Sequence, residues 1–327
     1  MTKVLVSVII PVYQVSDYIE RCLSSVIRQT YQHIECIIVN DATEDDSMEK
    51  CERMIASYSG PIRFRVVHHE SNKGLSAARN TGMRNASGDY LYFLDSDDEI
   101  TPNCIESFVK TAEEFPNAEM IVGNYQTFPE HEQRSLRLDK GLPSSMETNE
   151  AIAAAFLAHR FPMNAWNKLT KSSFLLDNNL FFKDGILYED IHWTFFVIKY
   201  LQHIRINKAV TYHYYIRPGS IVTDAKEDAV GKSFYQIYDD IIHHLTKGRE
   251  SQELSSYVEG FCNRYLRHRG NIPEYNTLYL EYRRKVKEFG SKNASLKLRL
   301  AFLMGKMPFG LKVLESLRNL KSSMKAK

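Results

Sequence analysis

Short, nearly unbroken apolar runs alternate with segments of helical period through the first 125 residues, and this alternation limits the fold more than any other feature of the chain. Val4–Ile10, Ile34–Val39, Arg63–Val67, Tyr90–Leu94 and Met120–Gly123 read as strands. Most are apolar on both faces, as strands of a sheet covered on both sides are. Asp17–Gln29 carries apolar residues at 19, 23, 26 and 27, a helical period. Thr43–Tyr58, Leu75–Ala86 and residues 103–114 read as further helices. Glu44, Asp45 and Asp46 are expected in the first turn of the second helix, where the dipole favours acids. Strands that alternate with helices build βαβ units, so the fold class is α/β with a mainly parallel sheet flanked by helices. In such sheets ligands gather at the carboxyl ends of the strands. That rim holds Pro11-Val12-Tyr13, Asn40-Asp41 and Asp95-Ser96-Asp97-Asp98.

Beyond this region, residues 129–149 read as a polar linker. A helix is expected near 149–159, then Trp166-Asn167-Lys168, then a helix near 171–178. Glu189-Asp190 opens an aromatic-rich helix that runs to about 201. Ala209–Ile216 reads as a strand, closed by Pro218-Gly219. From about 226 the pattern is helical, with stretches near 230–246, 252–268 and 274–289.

A chain of 327 residues has room for about two domains and a core that needs no disulfides. Its five cysteines, at 22, 36, 51, 104 and 262, are odd in number and form no C-x-x-C, which argues against a zinc site or a disulfide framework. Reduced thiols suit a cytoplasmic protein. Met1-Thr2-Lys3 leads straight into a strand-like run, not a signal peptide. No stretch reaches the ~20 apolar residues of a membrane span.

Several constellations carry chemistry. Asp95-Ser96-Asp97 places two carboxylates around one small residue just after a buried strand, an oxygen set suited to Mg²⁺ or Mn²⁺. Its alternative is an acidic capping turn before Thr101-Pro102. Asp41 reads either as an acceptor for a base or ribose or as an N-cap. Gly74 permits a tight turn ahead of a helix whose first amides, with Arg79, favour a phosphate; an ordinary surface arginine is the other reading. Glu189 and Asp190 either complement a helix dipole or include a general base. His192 and His213 are candidates to assist or to bind metal.

Val8-Ile9-Ile10-Pro11-Val12-Tyr13, Asn40-Asp41-Ala42-Thr43, Gly74-Leu75-Ser76-Ala77-Ala78-Arg79-Asn80 and Phe93-Leu94-Asp95-Ser96-Asp97-Asp98 together, in this order and spacing, resemble the family 2 glycosyltransferases of bacterial cell-surface polysaccharide synthesis. The resemblance covers residues 4–128 well and continues more loosely through Trp166-Asn167-Lys168, Glu189-Asp190 and Tyr214–Ile221. It implies a GT-A fold, Rossmann-like, with an inverting mechanism, a nucleotide-diphosphate sugar (a UDP-sugar) as donor and Mn²⁺ or Mg²⁺ as cofactor. By the same resemblance Pro11 and Val12 frame the nucleotide, Asp41 reads the base, Arg79 lies by the diphosphate, and Asp95 and Ser96 touch ribose or diphosphate. Asp97 would bind the metal, Asp190 would be the catalytic base, and Trp166 and Glu189 would line the sugar or acceptor side. Residues 1–128 are then the nucleotide-sugar half, 129–222 the acceptor-side half, and 223–327 a helical C-terminal region. Two departures stand out: such members often read Asp-Asp-Gly-Ser where this chain has Asn40-Asp41-Ala42-Thr43, and Tyr-Asn where it has Tyr13-Gln14.

The last 37 residues carry nine Lys/Arg and one Glu, so a tail of +8 offsets a body of −6 within a net charge of +2. Leucines and methionines recur on one helical face within residues 295–321, ringed by Lys and Arg. That pattern reads as an interfacial helix pair on an anionic inner leaflet, near a glycan or lipid-linked acceptor, or as a helix packed on the body. Nucleic acid is disfavoured, since the tail offers few aromatic rings for stacking. Rival readings are a haloacid-dehalogenase-like phosphatase, which also places Asp-x-Asp after a strand, and a sugar-nucleotide-binding protein without catalysis.

Overall fold

Strand β1 (Val6–Val12) is buried along its whole length, because both of its faces are covered. It pairs in parallel with β2 (Ile34–Asn40) on one side and β4 (Tyr90–Phe93) on the other, and β2 pairs in parallel with β3 (Arg63–His68). β3 is the edge, and its alternating exposure shows it. The computed structural model describes residues 3–129, 138–139, 141–157, 160–217, 219–220 and 226–247. Among these, nine strands form one sheet in the order β3-β2-β1-β4-β8-β6-β9-β5. The second half of the sheet comprises β5 (Glu99–Ile100), β6 (Met120–Phe128), β7 (Ser145–Met146, paired with β9), β8 (Lys168–Lys171) and β9 (Ile204–Tyr215). The long ladders are parallel, while β8 runs antiparallel between β4 and β6 in ladders three residues long.

Helices α1 (Ile19–Ile27), α2 (Ser47–Ser57) and α4 (Cys104–Glu114) share one core cluster with Val6, Val8, Ile10 and Val12 of β1. The opposite face of β1 carries Ile9. Helix α3 (Leu75–Asn85) crosses it at Gly82, where an added Cβ would lie 2.3 Å from Ile9 Cγ2. Phe93, in register with Ile9, meets Phe182 and Trp193 edge-on. Trp193 belongs to α7 (Glu189–Tyr200), which follows α5 (Asn149–Leu157) and α6 (Ser172–Asp177). Helix α8 spans Glu227–Lys247. The chain divides into two compact units, Met1–Ser233 and Phe234–Lys327, and the first contains the whole sheet. Of the second unit, the described residues are the rest of α8. The helices expected near 252–268 and 274–289 and the amphipathic tail at 295–321 lie outside the described residues. No helix among the described residues is long and apolar enough to cross a membrane.

Some boundaries differ from the expectation for physical reasons. Helix α2 begins at Ser47, not Thr43, because its acidic approach bonds to backbone and side chains instead of entering the first turn. Asp45 accepts from Ser16 N–H (3.0 Å), Ser47 N–H (3.2 Å) and the Thr43 hydroxyl (2.8 Å). β9 starts five residues early, at Ile204, since Ile204-Arg205-Ile206 pairs with β6 before an irregular register near Gly123–Tyr125.

At the opposite end of the sheet from the carboxyl rim, Glu35 is buried as an anion. It accepts from the Ser7 and Ser87 hydroxyls and from the N–H groups of Ser87 (2.6 Å) and Gly88 (3.0 Å). Burial pushes its pKa up, but these donors outweigh burial and hold it below the ordinary value. Its stabilising contribution is therefore complete above the unfolded-state pKa and lost as pH falls through the lower folded one. Glu35→Gln turns an N–H₂ toward these donors and should cost about 1–3 kcal/mol near neutral pH. In urea denaturation the gap from wild type should close in acid; a gap constant with pH would show that the ionised carboxylate is not the stabilising group.

Candidate active site

The carboxyl ends of β1, β2 and β4 meet at one rim. Pro11 and Val12 end β1 and are buried, while Tyr13 beyond them is 41% exposed. The Val12 carbonyl accepts from Asp41 N–H at 3.0 Å. Asp41 lies just past β2 and is buried. Its carboxylate accepts from Lys73 N–H and Gly74 N–H (2.8 Å each) and lies 2.6 Å from His69 Nδ1. Three of its roughly four lone-pair positions are thereby taken. His69 Nε2 in turn lies 2.8 Å from the Thr81 hydroxyl on α3. Asp41 thus ties the loop after β3 to the start of α3, and Gly74, at φ 86°, makes the turn into that helix.

The turn after β4 is held from several directions. Asp95 N–H donates to the Tyr212 hydroxyl (3.3 Å), and that hydroxyl donates to Asp98 Oδ2 (2.7 Å). Asp98 is fully buried and accepts a second bond from Tyr215 N–H (2.7 Å). Burial, with the charges of Asp97 and Asp95, pushes its pKa well up. Asp98 therefore fastens the turn to β9. Ser96 is buried within the same turn. Asp97 Oδ2 pairs with Arg217 Nε at 2.7 Å, and its carbonyl accepts from Arg21 of α1. Burial and Asp95 raise the Asp97 pKa against the pull of Arg217.

Arg79 joins this turn to α7. Its guanidinium is buried on α3, with Nη2 2.6 Å from Asp95 Oδ1 and Nη1 bonded to Glu189. Asp190 follows Glu189 in the first turn of α7, after Tyr188 in the left-handed region (φ 59°). Burial first, then the Glu189 charge, push the Asp190 pKa up to about 7, against Arg79. Trp166 stacks on Tyr212 (4.3 Å) and Tyr214 (5.4 Å), so it buttresses the tyrosine that orients Asp95 and Asp98.

The structure therefore brings Arg79, Asp95, Glu189 and Asp190 into one cluster, with Ser96 and Asp97 on the same turn and Pro11, Val12 and Asp41 along the adjoining rim. Arg79 is no surface arginine. His213 stands apart, 2.9 Å from Glu99 on the β5–β9 ladder, and His192 is buried on α7 against Phe196. Sequence reasoning gave no role to Arg21, Asp98, Tyr212 or Arg217. Only Asp98 carried a signal, as the third carboxylate of its turn.

Among the described residues no group of three or more His, Cys, Asp or Glu side chains is placed to hold a metal ion. The donors that fit a divalent cation are the Asp95 and Asp97 carboxylates, hard oxygens on a partly open turn. A cation there needs further oxygens from a diphosphate and from water, which is how Mg²⁺-type ions are commonly held beside phosphates.

A sheet that ends in such a turn, linked through a buried arginine to a Glu-Asp pair, has relatives among the sugar-transferring enzymes. The profile described as Glycosyl transferase family 2 matches residues 7–183, more than half of the chain, and the chain belongs to that family. This replaces the phosphatase reading. Over 128 residues the chain is 44% identical to glycosyltransferase GlyA of Streptococcus pneumoniae, a match covering 39% of this chain and 18% of GlyA. It is 36% identical to GlyG of the same organism over 38% of this chain and 40% of GlyG. It is 29% identical to glycosyltransferase EpsJ of Bacillus subtilis over 78% of this chain and 74% of EpsJ. The chain thus spans well under two thirds of GlyA and GlyG. In fold it resembles S. aureus TarS 1–349 in complex with UDP-GlcNAc, with a TM-score of 0.70 and 18% identity over 90% of this chain and 85% of that one. It also resembles the Pyrobaculum calidifontis mannosyltransferase PcManGT in complex with GDP-Man and Mn²⁺, with a TM-score of 0.56 and 14% identity over 92% and 79%. The mixed α/β fold with a mainly parallel sheet is the GT-A fold of these neighbours.

The two departures from the family's motifs fall on strained backbone. Gln14 (φ 51°) and Ala42 (φ 55°) both adopt left-handed conformations, where the family's Asn and Gly are more at ease. Ala42→Gly and Gln14→Asn should each stabilise the protein by on the order of 0.5–1 kcal/mol. Thermal unfolding checks this; a lower Tm in both variants would show that the turn is not strained.

Proposed function

We propose that this glycosyltransferase moves a sugar from a UDP-sugar to a hydroxyl of a glycan or lipid-linked glycan, with inversion at the anomeric carbon. The observation that carries the reading is Asp190. It is a carboxylate at the edge of the Arg79–Asp95–Glu189 cluster, with a pKa of about 7, suited to accept a proton near neutral pH. The acceptor hydroxyl gives its proton to Asp190 as its oxygen attacks the anomeric carbon. The bond from that carbon to the diphosphate breaks on the opposite face, and its electron pair leaves with the diphosphate. Asp97 and Asp95 would hold a Mn²⁺ or Mg²⁺ ion, which when bound neutralises charge developing on the diphosphate. Arg79 stays between Asp95 and Glu189, so its part is to hold the donor turn and the base-bearing helix in register. Pro11, Val12 and Asp41 frame the nucleotide, with Asp41 at the base, and Ser96 faces ribose or diphosphate. Trp166 and Glu189 support the sugar side.

TarS in complex with UDP-GlcNAc supports a UDP donor, and PcManGT with GDP-Man and Mn²⁺ supports a divalent cation. In this reading residues 1–128 hold the donor and 129–222 shape the acceptor side. The protein works at the inner face of the cytoplasmic membrane, where lipid-linked acceptors are presented.

Asp190→Asn should keep UDP affinity within about twofold yet lose roughly 10²–10⁴ in kcat. Because the base must be ionised, wild-type kcat/KM should rise with pH through a midpoint near 7. Wild-type turnover in the asparagine variant would remove Asp190 from this role. Calorimetry tests the cation: Mn²⁺ should strengthen UDP binding to the wild type about tenfold or more over chelator, and Asp97→Asn should abolish that gain. A gain that survives in the variant places the metal elsewhere.

A further inference from the structure

Arg79 and Asn80 are neighbours on α3, and both reach across to the part of the chain that carries Asp190. Arg79 does so by charge, through Glu189. Asn80 does so through the backbone of the segment that leads into α7. Its amide is buried and serves Phe182 as a paired strand would. The Oδ1 accepts from Phe182 N–H and the Nδ2 donates to the Phe182 carbonyl, both at 2.8 Å. The Nδ2 also donates to Asp184 Oδ1 at 3.1 Å. An asparagine amide carries an acceptor and a donor side by side, and here both are spent on one residue.

The ring fixed in this way supports two groups of the site. The Trp193 indole stacks on it, with centroids 4.7 Å apart and planes 13° apart. The Arg79 guanidinium carbon lies 5.3 Å from its centroid, within the range of cation–π attraction. Arg79 Nε is buried without a hydrogen-bond partner, so besides its two carboxylates the guanidinium has this ring to lie against. Trp193 follows Glu189 by one turn on the same face of α7, and its Nε1–H donates to the Leu180 carbonyl at 2.9 Å.

The parts around this clamp are fastened unequally. The turn after β4 has its own hold from β9, through Tyr212 and Asp98. The far end of α7 is held by Asn149, whose Nδ2 donates to the carbonyls of Ile198 (2.7 Å) and Leu201 (2.8 Å). The start of α7 leans on Arg79 and on the Phe182–Trp193 stack. Loosening Phe182 should therefore shift the helix start against a donor turn that stays in place.

We propose that Asn80 is a positioning residue for sugar transfer: by clamping Phe182 it keeps the Arg79 bridge and the start of α7 at the spacing the attack needs, a role that rests on the reading of Asp190 as the base.

The test compares wild type, Asn80→Ala, Phe182→Leu, the double variant and Asp190→Asn. The probe is release of UDP from the UDP-hexose that the wild type turns over fastest, in a panel that includes UDP-GlcNAc, with water as the attacking hydroxyl. Rates are divided by the number of UDP-binding sites found by calorimetry, so that unfolded protein does not count. Asn80→Ala should lower kcat roughly 10–100-fold, as a small misplacement of reacting groups does, while the KM for the UDP-hexose and the Kd for UDP stay within about twofold. Phe182→Leu keeps an apolar side chain without the ring and should act likewise. The double variant should lose about as much as the worse single one, because both changes break the same link. Wild-type kcat in Asn80→Ala, with Asp190→Asn inactive, overturns the role of Asn80 and leaves the base standing. Losses that multiply in the double variant also overturn it, since Asn80 would then act by a route other than Phe182. Wild-type turnover in Asp190→Asn overturns the base reading and this one with it. Should Asn80→Ala fail to fold, Phe182→Leu alone decides: kcat at the wild-type value without the ring overturns the proposal.

Discussion

The site depends on one buried ion bridge. Arg79 spans Asp95 and Glu189, residues separated by 94 positions in sequence, and thereby joins the strand-end turn of the first half to the helix that carries Asp190. A guanidinium suits this place because its planar fork presents several donors at fixed angles. Removing it would leave two acids facing each other with little water, and breaking buried pairs of this kind typically costs about 3–5 kcal/mol. The bridge is therefore a fold contact that sets the distance between the turn after β4 and the helix start that carries Asp190, and in the proposed reading it is a catalytic constraint as well. Asp98 and Tyr212 add a second fastening from β9, so the turn is positioned by elements on both sides of the sheet.

What was legible in the sequence follows from how local each signal is. Strands β1, β2 and β4 announce themselves because strands buried on both faces must be apolar throughout. β5, β7 and β8 did not, because they are two to four residues long and partly polar, and pairing makes them strands. Lys168 is the extreme case, a lysine buried in a central strand with its Nζ bonded to Asn164 of the segment before it. Helix α2 is shorter than its sequence suggests because acids that favour a helix start also favour bonding to nearby backbone.

The same division runs through the site. Asp41, Asp95, Asp97, Glu189 and Asp190 could be picked out because acids beside strand ends and helix starts are visible in one dimension. Their partners were not. Nothing local to Tyr212 or Arg217 points to a turn more than a hundred residues earlier, since sheet topology alone brings β9 there. The departures at Gln14 and Ala42 were visible as letters, but their meaning lay in the backbone angles. The family's Asn and Gly are tolerant of that geometry, and this chain meets the same geometry with residues that are not.

The contact of Gly82 with Ile9 reaches beyond packing. Arg79 lies three residues before Gly82 on α3, and Phe93, in register with Ile9, lies two residues before Asp95. A side chain at 82 forces Ile9 or the helix to shift, and a shift of the helix carries the guanidinium with it. The frame under the rim is thus coupled to the site through a contact with no spare room, so a single methyl group at one helix position is felt at the buried bridge.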